Sequence, residues 1–302
     1  MWSKCFKLSL IIACKWVFVP ACFAHELSPQ QRETWWFAWN FDFWLILQFS
    51  LLAIAYHHGA NRLRRVLRRR QVYSFWAALF FLIMALLSPM DALSQELSFV
   101  HMIQHLLLMM VAAPLLVMSM PVTVILASLS ARWRRRYWQA LRKLNHRHWL
   151  SSVFWQAAVI WGLNALILWI WHIPLFYIAA LRFAWVHYVQ HLSFFLVSCL
   201  FWRIVFDPIS QRRMNHALGI LYLFTSSLHA AVLGVFMSLA PSVWYFDYTA
   251  TAPRWGWSAL EDQQLAGLIM WMPACAFYAL GASVLLLRAL EKPSVFPSKL
   301  RR

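Results

Sequence analysis

Charged residues are scarce in this chain of 302 residues, and their scarcity excludes an ordinary soluble fold. Asp, Glu, Lys and Arg make up 12% of the sequence, against about 25% in soluble domains. Hydrophobic residues make up 62%, and the mean hydropathy is +0.58. The apolar residues fall in runs long enough to cross a bilayer. The sequence therefore predicts an all-α integral membrane protein.

Cysteine and glycine are also in short supply. Of five cysteines, three lie in the first 24 residues and the other two, Cys199 and Cys275, lie in apolar runs without a CxxC spacing. This pattern supports neither a disulfide framework nor a thiolate metal site. With seven glycines, the chain has no P-loop or Rossmann motif. No nucleophile–base arrangement stands out either, so we do not expect an enzyme.

The apolar runs predict a seven-transmembrane-helix bundle. Each predicted span is about 20 residues long, as the hydrocarbon core of a bilayer requires. The spans are expected at about 36–56, 72–88, 99–119, 153–172, 185–202, 216–239 and 263–287.

The net charge of +17 is explained by where the basic residues lie. Most of them follow the first, third, fifth and seventh spans, whereas nearly all acidic residues lie at the opposite ends of the spans. The positive-inside rule then predicts an N-terminus outside and a C-terminus inside the cell. One topology accounts for the charge excess, so no nucleic-acid partner is expected. The basic loops suit contact with anionic lipid of the bilayer.

The two ends of the chain differ from its middle. Lys4 and Lys7 precede an apolar stretch that ends in small residues before His25, which is typical of a signal peptide. Lys15 interrupts the stretch, and an uncleaved anchor is the alternative. The expected organisation is a signal peptide at 1–24, a seven-helix membrane domain at 25–290 and a basic cytoplasmic tail at 291–302.

One block of sequence occurs twice: HMIQHL at 101–106 and HYVQHL at 187–192. Residues i and i+4 of a helix lie about 40° apart around its axis and about 6 Å apart along it. His101 and His105 therefore share one helix face, as do His187 and His191. Both spans run from outside to inside, which predicts equal depth and suggests a parallel internal repeat.

Two facing histidine pairs would offer four nitrogen ligands to a metal at the outer side. Imidazole binds copper, zinc, nickel and iron, and thioethers add a preference for Cu(I). Ionisable residues inside a membrane usually line a site or cavity, although a purely structural polar network is the alternative here. The candidate metal ligands are His101, His105, His187, His191, His172, His229 and Met109. Gln104 and Gln190 are expected to orient the imidazoles.

Four segments carry a resemblance to a known family. They are HMIQHLLLMMVAAPLLVMSMP from His101, WHIPLFYIAAL from Trp171, HYVQHLSFFLVSCLFW from His187 and DQQLAGLIMWMP from Asp262. Together and in this order they resemble the CtaG-type (caa3-type) cytochrome c oxidase assembly factor family, over about 36–290. The resemblance implies seven transmembrane helices and a role in maturing a haem–copper oxidase. It also implies an oxidase subunit as membrane partner and copper insertion as the step assisted.

Three other functions use the same histidines differently. A haem-binding protein would take one axial histidine from each of two helices. A transporter would pass a metal ion or protons across the membrane. An assembly scaffold would bind no cofactor, and its histidines would be replaceable.

Overall fold

The structure, a computed structural model, describes residues 34–143, 153–206 and 214–290. The expected signal peptide at 1–24 and the basic tail at 291–302 lie outside the described residues. The described chain is helical throughout, without a β-strand in these three ranges. The all-α class predicted from the sequence is confirmed.

Long helices alternate with short ones. In chain order they are α1 (Phe43–Arg62), α2 (Arg69–Leu86), α3 (Pro89–Glu96), α4 (Ser98–Leu106), α5 (Ala113–Met118), α6 (Pro121–Ser128), α7 (Ala131–Lys143), α8 (Val153–His172), α9 (Pro174–Arg182), α10 (Ala184–Phe206), α11 (His216–Ser238) and α12 (Ala259–Leu290). A π-helical segment, Leu107–Ala112, joins α4 to α5. Short 3-10 helices lie at Trp35–Phe37, Phe246–Thr249 and Ala252–Trp255.

Six helical units within the described ranges are long and apolar enough to cross a membrane. They are α1, the continuous unit Ser98–Met118, α8, α10, α11 and α12. The bent pair α2 and α3, with 44° between the two axes, makes a seventh if it is counted as one span. The seven predicted spans correspond to these units, and the chain is a multi-pass membrane protein.

The first span begins later than the sequence predicts. The helix starts at Phe43, not near residue 36, because the side chain of Asp42 accepts a hydrogen bond from the Leu45 amide at 2.8 Å and caps it. Upstream, Trp35–Phe37 forms a separate 3-10 turn. The aromatic residues around this turn are apolar enough to suggest that the span begins there, but the N-cap at Asp42 sets the helix boundary.

The third span changes its helical form halfway along. Pro114 has no N–H to donate into the ladder, and in the π segment the Ala113 amide bonds back to the Leu108 carbonyl. These changes leave the Met109 carbonyl without its usual helical partner. The indole N–H of Trp202 donates to that carbonyl instead, at 2.8 Å. The π segment is therefore tied to α10, and such segments are frequent at functional sites.

The main core lies among the third to seventh spans. It joins buried side chains such as Met102, Ile160, Phe194, Leu233 and Met270, one from each of these spans. The first two spans form a satellite cluster with α6, in which the ring of Tyr56 stacks on Phe75 with centroids 3.6 Å apart. The histidine blocks belong to the five-span core, and the first two spans pack beside it.

The sixth and seventh spans make the closest helix contact of this core. A Cβ added to Gly267 would lie 2.6 Å from the Ser238 amide nitrogen and 2.7 Å from the Gly234 carbonyl oxygen. Small residues at membrane-helix interfaces allow such close backbone approach. The glycines therefore fix the position of α12, whose first turns reach the histidine cluster.

Candidate metal centre

Both histidine blocks follow the same local arrangement. Each is preceded by a short helix with proline at its first position, α3 from Pro89 and α9 from Pro174. One extended residue then separates the short helix from the span, Leu97 in the first case and Phe183 in the second. Proline suits the first turn of a helix. The blocks therefore enter their spans in the same local conformation.

The start of α4 is held by the last span. The carboxylate of Asp262 accepts hydrogen bonds from the backbone amides of Ser98, at 2.8 Å, and Phe99, at 3.0 Å. A carboxylate is favourable at a helix N-terminus, where the amides lack partners and the helix dipole is positive. Asp262 is fully buried. In the sequence Asp262 is only the first residue of the DQQLAGLIMWMP segment, whereas in the structure it is a cap that positions the helix of His101.

The two histidine pairs face each other across the interface of α4 and α10. Within a pair, ring centroids are 4.3 Å apart for His101 and His105 and 4.1 Å apart for His187 and His191. Across the interface, His101 lies 5.4 Å from His187, and His105 lies 5.2 Å from His191. Four imidazoles thus form one compact group, which we call the histidine cluster.

Three members of the cluster have metal-site spacing. One ring nitrogen from each of His101, His105 and His191 lies within 4.8 Å of the others. Imidazole–zinc bonds of about 2.0–2.1 Å place ligand nitrogens roughly 3–3.5 Å apart in a tetrahedral site. Small side-chain rotations would close the difference. His187 lies toward the edge of the cluster, with its Nδ1 3.4 Å from the side-chain nitrogen of Gln95.

Many buried ring nitrogens of these histidines have no hydrogen-bond partner in the described part of the chain. They are both nitrogens of His101, both of His105, and Nε2 of His172, His187 and His191. Buried polar atoms are almost always paired, and each exception calls for an explanation. A nitrogen lone pair aimed at its neighbours is what a metal ion would satisfy. The donor set fits a metal that is bound by imidazole.

His172 approaches from the end of α8 with its tautomer already fixed. Its Nδ1–H donates to the Leu168 carbonyl at 2.7 Å, so Nε2 is the nitrogen that is free to bind. Metal-binding histidines commonly donate their second ring N–H in this way. The Tyr245 hydroxyl donates to the His172 carbonyl at 3.0 Å and holds this end of α8.

A cavity of about 40 Å³ lies beside the cluster, on the side of His105 and His172. Such a volume has room for a metal ion or a few water molecules. Its other lining residues are mainly apolar or sulfur-containing: Met102, Leu106, Met109, Met110, Asn164, Leu168, Phe194, Ala230, Met270, Ala274 and Tyr278. Met109, one of the candidate ligands, therefore lines the same cavity as two of the histidines.

His229 is not brought into this group. Its ring packs edge-on against Trp161 with centroids 5.6 Å apart, and it is not among the residues that line the cavity. Of the candidate ligands, Met109 therefore lines the cavity and His229 does not. His229 shares the sixth span with Ala230, which does line the cavity.

The two glutamines do not orient imidazoles through hydrogen bonds. Gln104 donates instead to the Ala85 carbonyl at 2.7 Å and to the Asp91 carboxylate at 2.9 Å, which joins the third span to the second. Gln190 lies close to His101, but no hydrogen bond of good geometry connects them. The expected role of Gln104 was wrong, because its side chain points toward α2 and α3 and not toward the histidines.

Three buried tyrosines lie next to the cluster, and sequence analysis missed them. Tyr177 of α9 stacks on Tyr245 with ring centroids 3.8 Å apart and lies 5.2 Å from the His101 ring. Tyr248 donates to the Ser94 carbonyl at 3.0 Å. Burial raises the pKa of all three phenols, which remain neutral hydrogen-bond donors. We call this group the tyrosine cap; Tyr177 falls inside the WHIPLFYIAAL segment, the one signal that pointed to it.

Comparison with known proteins places this chain in a family. No curated protein and no solved structure matches the chain. The sequence model of one family, described as cytochrome c oxidase caa3 assembly factor, matches residues 54–292, which include α2 to α12 and the whole histidine cluster. The chain therefore belongs to the cytochrome c oxidase caa3 assembly factor family.

Proposed function

We propose that this assembly factor binds copper at the histidine cluster and supplies it to a haem–copper cytochrome c oxidase in the membrane. The observation that carries the proposal is the group of buried ring nitrogens on His101, His105 and His191, close enough to share one ion and without hydrogen-bond partners in the described chain. Copper is the cargo of this protein, not a resident cofactor. Membership of an assembly-factor family accords with such a non-catalytic role.

The cargo site faces the outside of the bacterial cytoplasmic membrane in this proposal. Basic residues are concentrated at the start of α2 and along α7, and by the positive-inside rule they mark the inner side. The histidine cluster and the tyrosine cap lie at the opposite ends of the spans. The N-terminus of the first span is then outside and the C-terminus inside. The matching entry into α4 and α10 supports a parallel repeat as the origin of the two blocks.

The donor chemistry suits a site that must release its ion. Imidazole is a neutral ligand for Cu(I) and Cu(II). Thiolates would hold copper more tightly, and the two cysteines in the described chain, Cys199 and Cys275, are not part of the cluster. Copper would leave by ligand exchange with a docked oxidase subunit, one nitrogen at a time. The nitrogens must be neutral to bind, so binding requires deprotonated imidazoles.

The haem alternative needs more room than this region offers. Pockets for cofactors and drug-sized ligands typically hold about 300–1,000 Å³, whereas the cavity here is about 40 Å³. The imidazoles also contact each other directly, without a slot between the pairs for a macrocycle. A copper ion needs neither a large pocket nor a slot between the histidine pairs. Transport across the membrane and a cofactor-free scaffold are separated from copper delivery by the experiments below.

The first experiment measures bound metal. Purified protein in detergent is loaded with copper, desalted and analysed by mass spectrometry beside a His101/His105/His187/His191→Ala variant. We expect about one copper per chain in the wild type and little in the variant. A His57/His58→Ala variant is the matched control, because both residues are exposed at the end of α1. Equal copper in all three proteins, or none in the wild type, would sink the proposal, and iron in place of copper would support haem.

The second experiment connects the site to assembly. Cells that lack this protein are complemented with the wild type, the four-histidine variant or the His57/His58→Ala control. Oxidase activity and the copper content of the purified oxidase are then measured. We expect activity and copper to be restored by the wild type and the control alone. Full restoration by the four-histidine variant would favour a scaffold, and copper accumulation in the cytoplasm without oxidase defects would favour transport.

A further inference from the structure

The cavity next to the histidine cluster combines two kinds of soft or borderline metal donors. His105 and His172 supply imidazole nitrogens, and the methionines of the third and seventh spans supply thioethers. We propose that this cavity is a second metal subsite, selective for Cu(I), that shares His105 with the outer cluster. The inference rests on the proposed function. It adds the oxidation state of the bound copper and a second binding position in the cavity.

The nitrogen donors of the subsite are buried and oriented. His172 is 4% exposed, and its Nε2 has no hydrogen-bond partner in the described chain. Its Nδ1–H is used by the Leu168 carbonyl, so the lone pair on Nε2 is available toward the cavity. His105 is 5% exposed, and both its nitrogens lack partners among the described residues. Its ring belongs to the outer triad and also lines the cavity, so one residue connects the two subsites.

The sulfur donors come from two helices on different sides of the cavity. Met102, Met109 and Met110 belong to the third span, and Met270 belongs to the seventh. All four are buried. Thioether sulfur is a soft, uncharged ligand that selects Cu(I) over harder divalent ions. A monovalent ion is also less costly to bury among neutral ligands than a divalent one. The mixture of two imidazoles and several thioethers therefore favours Cu(I).

The local structure of the third span supports this role. Met109 and Met110 lie in the π-helical segment, which interrupts an otherwise regular membrane helix. The Trp202 indole fixes the segment by its hydrogen bond to the Met109 carbonyl. The break in the ladder follows from Pro114 and the displaced Ala113 amide, and π segments of this kind recur at functional sites. The interruption places two adjacent methionines against the cavity.

The two subsites that share His105 would bind copper with different selectivity. The outer cluster, which is built from imidazole alone, accepts copper in either oxidation state. The inner subsite holds only Cu(I), shielded from the aqueous side by the cluster and the tyrosine cap. The ion that reaches an oxidase subunit docked within the membrane is then Cu(I). No electron transfer by this protein is involved, since the ion enters the cavity already reduced.

The test uses Cu(I) and the redox-inert monovalent ion Ag(I) as probes on the full-length protein in detergent. Affinities are measured by competition with a coloured Cu(I) chelator, and Cu(II) affinity is measured in parallel. A Met109/Met110→Leu variant removes two thioethers with little change in volume. The matched control is Met118/Met272→Leu, at two partly exposed positions that do not line the cavity.

We expect the Met109/Met110→Leu variant to lose at least about tenfold in Cu(I) and Ag(I) affinity, with Cu(II) affinity and the control variant unchanged. X-ray absorption of the Cu(I)-loaded wild type needs no variant, and it should show sulfur as well as nitrogen neighbours. A nitrogen-only spectrum, or equal Cu(I) affinity in all three proteins, would overturn the second subsite. Failure of the proposed copper-binding function would give a different result, because the wild type would then bind neither Cu(I) nor Ag(I).

Discussion

The carboxylate of Asp262 in the last span accepts a 2.8 Å hydrogen bond from the backbone amide of Ser98, the first residue of the helix that carries the first histidine pair. A second bond, from the Phe99 amide at 3.0 Å, completes this cap. The N-cap residue of this helix, Leu97, has an apolar side chain that cannot accept a hydrogen bond. Asp262, far along the sequence, caps the first turn of the helix in its place. The position of His101 consequently depends on how the last span packs.

Replacing Asp262 should therefore weaken both the fold and metal binding. Asp262→Ala leaves the buried Ser98 amide and the partly buried Phe99 amide without their acceptor, which costs about 1–3 kcal/mol of stability. Asp262→Asn keeps one acceptor oxygen and should fall between the wild type and the alanine variant. Thermal unfolding in detergent and copper affinity are the measurements. Glu261→Ala, at an exposed position that bonds to Ser258, is the control. A wild-type copper affinity in Asp262→Ala would contradict the positioning role.

Copper binding should weaken as pH falls. Protons and copper compete for the same imidazole lone pairs, and only neutral imidazole binds. With three histidines in the triad, affinity should fall from neutral into the acidic pH range where the imidazoles take up protons, and it should be level at higher pH. Equilibrium titration with a copper chelator across this range measures the effect. The four-histidine variant should bind little copper at any pH in this range, and a flat profile for the wild type would argue against imidazole ligands.

The local parts of the site were predictable from the sequence, and the tertiary parts were not. His101 and His105 share a face because of helix geometry alone, and the repeated block indicated that His187 and His191 would do the same. His229 illustrates the limit: it was a candidate ligand in the sequence, but the rotation of its span directs its ring to Trp161. The capping role of Asp262 could not be predicted, because capping across spans leaves no pattern in a single segment.

The tyrosine cap should control how fast copper leaves. Tyr245→Phe removes the hydroxyl that donates to the His172 carbonyl at 3.0 Å, a bond worth about 0.5–1.5 kcal/mol. The end of α8 then becomes less fixed, so copper should dissociate several-fold faster while the protein stays folded. Stopped-flow transfer to a chelator measures the rate. Tyr73→Phe, at an exposed position on α2, is the matched control; identical rates in both variants would contradict a role for the cap.

Close contact between the sixth and seventh spans should make Gly267 intolerant of any side chain. In Gly267→Ala the new Cβ would lie 2.6 Å from the Ser238 amide nitrogen and hydroxyl oxygen, so the helices must separate. We expect a clear loss of thermal stability in detergent. Gly162→Ala is the matched control, since nothing lies within 4 Å of its added Cβ; removing a helical glycine there should be neutral or stabilising by up to about 1 kcal/mol. Equal stability of the two variants would mean that α11 and α12 do not pack as described.

The side of the membrane that the cluster faces can be read with single cysteines. Thr249 is exposed and adjoins Tyr248 of the tyrosine cap, whereas Arg65 is exposed between α1 and α2, at the basic end of the bundle. In a parent chain with its five cysteines replaced, a membrane-impermeant maleimide should label Thr249→Cys in intact cells stripped of their outer layers. Arg65→Cys should be labelled only after the membrane is permeabilised, because arginine-rich ends of spans stay in the cytoplasm. The reverse pattern would turn the cluster toward the cytoplasm, and copper would then have to reach the oxidase from the cytoplasmic side.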